Sequence, residues 1–234
     1  MGAPPVQIQE RLARLYLDLR AGIGIVGVAL PVFLFVGGRF EWRSSISSYY
    51  YTDMRDFLVG GLFAIGVFLL CYRFETADTV LSNIAGGLAI GSAVFPTKPS
   101  TGASTADEII GVLHIVCATG FFAILAVFCL WLFTRSDQPK QLQTAGKRSR
   151  NVVYRACGLV IIGCLLLAVV SALFVPENIN QALHPLLFAE AFAIFAFGFA
   201  WFVKGDHILK DGTTADEDLP PGQLLPLRDP EPIV

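Results

Sequence analysis

The chain has 234 residues, 54% of them hydrophobic and 15% charged, and a formal net charge of −2. A soluble domain carries about 25% charged residues, so this composition leaves too little polar surface to coat a water-soluble globule. It gives no support for nucleic-acid binding. The cysteines Cys71, Cys117, Cys129, Cys157 and Cys164 all fall within or at the ends of apolar stretches and form no extracellular disulfide framework.

Residues 6–19 place Ile8, Leu12, Leu15 and Leu19 on one helical face, which predicts an amphipathic helix lying on the inner membrane surface. Six apolar stretches follow, at about 21–38, 56–72, 79–96, 108–133, 153–175 and 183–203. Each approaches the roughly 20 residues that cross a hydrocarbon core about 30 Å thick. Two are a little short and lean on their interfacial ends. Lipid offers backbone groups no partners, and alternation with a period of two is absent, so these are helices and not barrel strands. The first lacks a small-x-small cleavage site and reads as a retained anchor. The fold class expected is therefore all-α, a polytopic bundle of six transmembrane helices in one domain over 1–204. Residues 205–234 are rich in Gly, Pro and acids and read as a flexible cytoplasmic tail.

The cations set the orientation. Thirteen Lys and Arg residues flank the ends expected inside, and only Arg39, Arg43, Arg55 and Lys98 lie on the other side. This bias puts both termini in the cytoplasm. It also accounts for the basic 135–155 loop without any partner beyond membrane lipids. Trp131 and Trp201 at the inner boundary, and Trp42 with Tyr49, Tyr50 and Tyr51 at the outer one, fit interfacial belts.

A faint repeat links three spans. Arg55, His114 and His184 each precede a Phe-Ala-Ile triplet by the same interval, at Phe63, Phe122 and Phe192. Read as a repeat, it makes the bundle three similar helical hairpins. Small residues Ser82, Ala85, Gly86, Ala89, Ser92 and Ala93 form a stripe suited to close helix approach. In the last span Phe188, Phe192, Phe195, Phe199 and Phe202 form one stripe and Ala189, Ala193, Ala196 and Ala200 another. The alanines are expected against helices and the phenylalanines toward lipid.

Ionisable groups inside spans are costly and are functional candidates by default. Asp56, His114, His184 and Glu190 all fall in the outer half of the expected bundle, near a polar segment containing Ser48 and Arg55. Several have structural explanations. Thr105 and Glu108 have capping-box spacing, Asp53 is placed to cap the second span, and Pro185 makes His184 a cap-region residue. No helix end explains Glu190, and His114 or Arg55 are its expected partners. Three chemistries stay open. Zinc held by His114, His184 and Glu190 would leave a position for activated water. Glu190 alone would serve as a buried acid or base. A polar clamp would only fix helix packing.

Ser48, Asp56, His114 and His184 occur in an order similar to that of the alkaline ceramidase superfamily, whose members are seven-helix membrane hydrolases using zinc. Phe188 stands where that family's closing histidine would be, and one span is missing. The element Ser45-Ile46-Ser47 before the second span, with both termini inside, resembles DRAM-like six-helix membrane proteins. That resemblance implies a multi-pass protein of lipid-related function without established catalysis. The expected function is a membrane protein whose outer polar pocket, made from Ser48, Arg55, Asp56, His114, His184 and Glu190, binds a lipid or small ligand. The alternatives are a membrane-embedded lipid hydrolase and a small proton-coupled transporter. A homo-oligomer is left open.

Overall fold

The computed structural model describes residues 6–73, 76–136 and 144–205, and they contain helices and connecting turns with no strand. In chain order they are α1 (Val6–Gly37), a 3-10 helix (Ser47–Tyr51), α2 (Arg55–Cys71), α3 (Thr76–Val94) and α4 (Thr105–Val127). A π turn (Phe128–Leu132) then leads to α5 (Ala145–Phe174), α6 (Glu177–Leu183) and α7 (Pro185–Lys204). Five helices, α1, α3, α4 with its π turn, α5 and α7, are long and apolar enough to cross a membrane. This is a multi-pass membrane architecture. The remaining long helix, α2, has 17 residues and measures about 26 Å at 1.5 Å per residue. The expected tail over 205–234 lies outside the described residues except for Gly205.

Two features differ from expectation. Residues 6–19 are not a separate surface helix but the opening turns of α1, which runs unbroken for 32 residues. Ile8, Leu12 and Leu15 there are exposed, so the apolar face is not spent on bundle packing. In addition, the short helix α6 precedes the last span. His184 separates α6 from α7 in the left-handed conformation at φ 47°, a region costly for a residue with a Cβ. It ends one helix and begins the next, with Pro185 in the first turn of α7.

The long helices pack in a closed ring, α1 against α2, α2 against α3, and so on through α4, α5 and α7 back to α1. The small-residue stripe of α3 is buried along its whole length, as the spacing predicts. On α7, Ala189, Ala193 and Ala200 are buried while Phe188, Phe192 and Phe199 face outward. Tyr72, Phe128, Phe133, Tyr154 and Trp201 close one end of the ring in edge-on and tilted contacts. Arg20, Lys147 and Lys204 gather at that end: Arg20 donates to the Tyr72 hydroxyl, Lys147 to the Phe133 carbonyl, and Lys204 lies over the Phe133 ring. The 3-10 helix covers the opposite end.

The tightest crossing is between α1 and α7. A Cβ on Gly198 would meet the Val28 nitrogen at 2.7 Å and the Gly24 carbonyl at 2.8 Å, both backbone atoms that no side-chain rotation relieves. Gly198→Ala should therefore destabilise the fold by about 1–3 kcal/mol through overpacking. Gly87, exposed with nothing within 4 Å of its added Cβ, is the control. Gly87→Ala should be neutral or stabilising by up to about 1 kcal/mol, since alanine restricts the unfolded chain. Thermal unfolding of both variants in one detergent checks the pair.

Candidate functional site

At the end covered by the 3-10 helix, helix termini leave backbone groups without partners in their own helix. The carbonyls that end α3 are met by His114 from α4, whose Nδ1 lies 2.7 Å from the Phe95 oxygen and 3.1 Å from that of Ser92. A carbonyl only accepts, so Nδ1 carries the hydrogen. A neutral ring then presents the Nε2 lone pair to the Ser47 hydroxyl, 3.0 Å away. Glu190 from α7 meets the opening of the 3-10 helix. Its Oε2 accepts from the Ser47 N–H at 3.1 Å. Its Oε1 stands 3.4 Å from the Ser47 hydroxyl. A carboxyl at a helix start and an imidazole at a helix end both suit the peptide dipoles there. Ser47 thus joins α4 and α7, its hydroxyl meeting His114 and its N–H meeting Glu190, and reaches the end of α3 through the His114 ring.

Of the residues expected to share one pocket, the structure brings His114 and Glu190 together and places the others elsewhere. Ser48 exchanges hydrogen bonds with Ser45 inside the turn that starts the 3-10 helix. Arg55 donates to the Tyr50 hydroxyl at 2.7 Å and lies over that ring. Asp56 is exposed in the first turn of α2. His184 stacks on Trp42, with centroids 6.1 Å apart. Its Nδ1 is buried without a hydrogen bond. The partner of Glu190 is neither Arg55 nor His114 directly but Ser47, which the sequence offers only through the Ser45-Ile46-Ser47 element. The caps also shift by a residue. Ser104 with Asp107, not Thr105 with Glu108, forms the capping box of α4, and Asp53 does not cap α2, whose N-cap residue is Met54 and makes no side-chain cap.

Hollows of different size adjoin the Ser47 cluster. A small one inside the ring, about 30 Å³, touches Ser47, Ser92, His114 and Glu190 among apolar side chains; that is room for about one water. The larger is a cleft of about 290 Å³ between α4, α5 and α7, helices of which α4 and α7 barely touch one another. Its walls include Ile115, Ala118, Phe122, Leu165, Val169 and Ala193, and its lining carries the ionisable groups His114, Glu190 and the thiol of Cys164. Ile115 and Val169 are 61% and 50% exposed, so the mouth opens sideways between outward-facing apolar surfaces. His184 lines a separate cavity of about 280 Å³ between α5, α6 and α7.

The zinc set His114, His184 and Glu190 does not converge in this arrangement. A metal ion would compete with the Phe95 carbonyl and Ser47 for both ring nitrogens of His114, and His184 belongs to the other cavity. Among the described residues, no three His, Cys, Asp or Glu side chains gather into one group of metal-binding size. No family model, curated protein or solved structure matches this chain.

Proposed function

We propose that this protein crosses the bilayer six times with both ends in the cytoplasm, and that it binds a lipid or small amphiphile in the cleft between α4, α5 and α7. The observation that carries the binding reading is the cleft itself. It has mostly apolar walls, a mouth on the outward face of the bundle, and polar groups from Glu190, His114, Ser45, Thr97 and Thr119 in its lining. Its volume, about 290 Å³, is near the lower end of small-molecule sites, which run from about 300 to 1,000 Å³. Native mass spectrometry of protein released from nanodiscs is the test, and it should show one retained lipid-sized adduct. Release of bare protein alone counts against the reading.

Six crossings are supported by α2, whose first turns bring Leu58 beside the Ser47 hollow and whose end is followed at once by Tyr72 against Trp201, the same two ends that the longer helices join. Its shortfall against a core of about 30 Å is within what local thinning accommodates. The gathering of Arg20, Lys147 and Lys204 at the Trp201 end supports a cytoplasmic assignment of that end. Impermeant thiol labelling of single cysteines placed in intact cells at Ser100 and at Ser149 checks the orientation. Ser100 should label and Ser149 should not.

One observation favours a second reading, a lipid hydrolase. The Ser47 hydroxyl faces an imidazole whose far nitrogen is pinned by a carbonyl, the nucleophile–base–orienter order of acyl transfer. Under that reading a fluorophosphonate labels the protein, Ser47→Ala abolishes labelling, and Ser48→Ala does not. No labelling of the unmodified chain eliminates it.

A further inference from the structure

The His184 cavity and the apolar cleft are two compartments of one groove. Ala168, Ala172 and Leu186 line both, so the two adjoin across these side chains. The compartments differ in chemistry. Ser44, Glu177, Asn180, Gln181 and His184 line the first, at the end of the bundle where α5 gives way to α6. Ile115, Phe122, Leu165 and Val169 wall the second, along the lengths of α4 and α5. A polar chamber at the end of a membrane bundle, joined to an apolar slot along it, has the shape of an amphiphile lying with its head at the boundary.

The side chains restrict the head. No lysine or arginine lines either compartment, and the Glu177 carboxylate lines the polar one. Arg43, next in the chain to Ser44, is already paired with Glu41 at 2.6 Å. A phosphate or carboxylate head would meet a like charge with no counter-ion. The polar groups instead suit hydroxyl or amide hydrogens. Glu177 is an acceptor, and His184 Nδ1 is buried and without a hydrogen bond. Gln181 spends one amide hydrogen on Glu177 and keeps its carbonyl as an acceptor. Asn180 is committed to Ser171 and Val175 and serves to hold the wall in place.

Resting on the proposed lipid cleft, and naming its ligand, we infer that the bound molecule is a single-chain amphiphile with a hydroxyl-bearing head that carries no negative charge, its head against His184, Gln181 and Glu177 and its chain between α4 and α5.

The test uses the full chain in phosphatidylcholine nanodiscs and two photoreactive probes of equal chain length, each with a diazirine in the chain. One is a monoacylglycerol and the other an alkane without a head. The monoacylglycerol should label peptides of α4 and α5 facing the cleft. Unlabelled monoacylglycerol should displace it at concentrations at least tenfold below those needed with the matching fatty acid. Gln181→Leu, an exposed and foldable change, and His184→Asn, which keeps a residue tolerant of the left-handed backbone, should each weaken monoacylglycerol labelling about tenfold. Neither should alter labelling by the alkane. Equal competition by the fatty acid overturns the head assignment, as does indifference of monoacylglycerol labelling to both substitutions; the cleft would survive either result. Absence of α4 and α5 labelling by both probes overturns the cleft and the head assignment together.

Discussion

Glu190→Leu should lower the stability of the purified protein by about 2 kcal/mol, and Glu190→Gln by about 1 kcal/mol. The carboxyl takes the hydrogen bond of the Ser47 N–H at the start of the 3-10 helix. Leucine leaves that donor without an acceptor, at about 1–3 kcal/mol for a buried polar group so stranded, less what its own burial returns. Glutamine keeps one carbonyl oxygen to receive it. Unfolding of the three proteins, followed by the loss of helical signal on heating, gives the order directly. The ranking also separates the roles of this residue. If glutamine preserves the fold but abolishes lipid retention, Glu190 touches the ligand. If binding falls only as stability falls, the residue is a clamp.

Ala168→Phe should reduce retained lipid at least tenfold, equivalent to about 1.4 kcal/mol of binding free energy, while leaving the melting temperature unchanged or raised. Ala168 lines both compartments of the groove, and its side chain is only partly buried. A benzyl group there occupies ligand space without having to enter the close-packed ring. Native mass spectrometry reads occupancy and thermal unfolding reads stability in the same preparation. Unaltered occupancy would mean that the lipid sits elsewhere on the bundle. A matching loss of stability would mean that the position belongs to the core.

The parts of this architecture that depend on local pattern are legible in the amino-acid sequence. Apolar length marks the long helices, the spacing from Ser82 to Ala93 marks a buried face, and the alternating Phe and Ala stripes of α7 mark which side meets lipid. Pattern fails where a partner comes from far along the chain. Glu190 and Ser47 are 143 residues apart, and nothing in the surroundings of either names the other. His114 likewise finds the end of α3 only because α3 and α4 fold back on each other. The residues that look most reactive in sequence have local occupations: Arg55 with Tyr50, Ser48 with Ser45, His184 with Trp42. Their equal spacing from Phe-Ala-Ile triplets does not give Arg55, His114 and His184 similar surroundings. The helix α6 escapes detection because it has seven residues and no buried face. The shift of the α4 cap from Thr105 to Ser104 is a single register step between two hydroxyl residues of similar capping strength.

Lipid binding as proposed requires a chain to occupy the space between α4, α5 and α7, with its path passing His114 and Glu190. Electron cryo-microscopy of the chain in nanodiscs, enlarged by a bound antibody fragment, addresses this directly. The predicted map has elongated density entering between Ile115 and Val169 and passing the Glu190 carboxyl. A map in which α4 and α7 close against each other, with side chains filling that space, would contradict it.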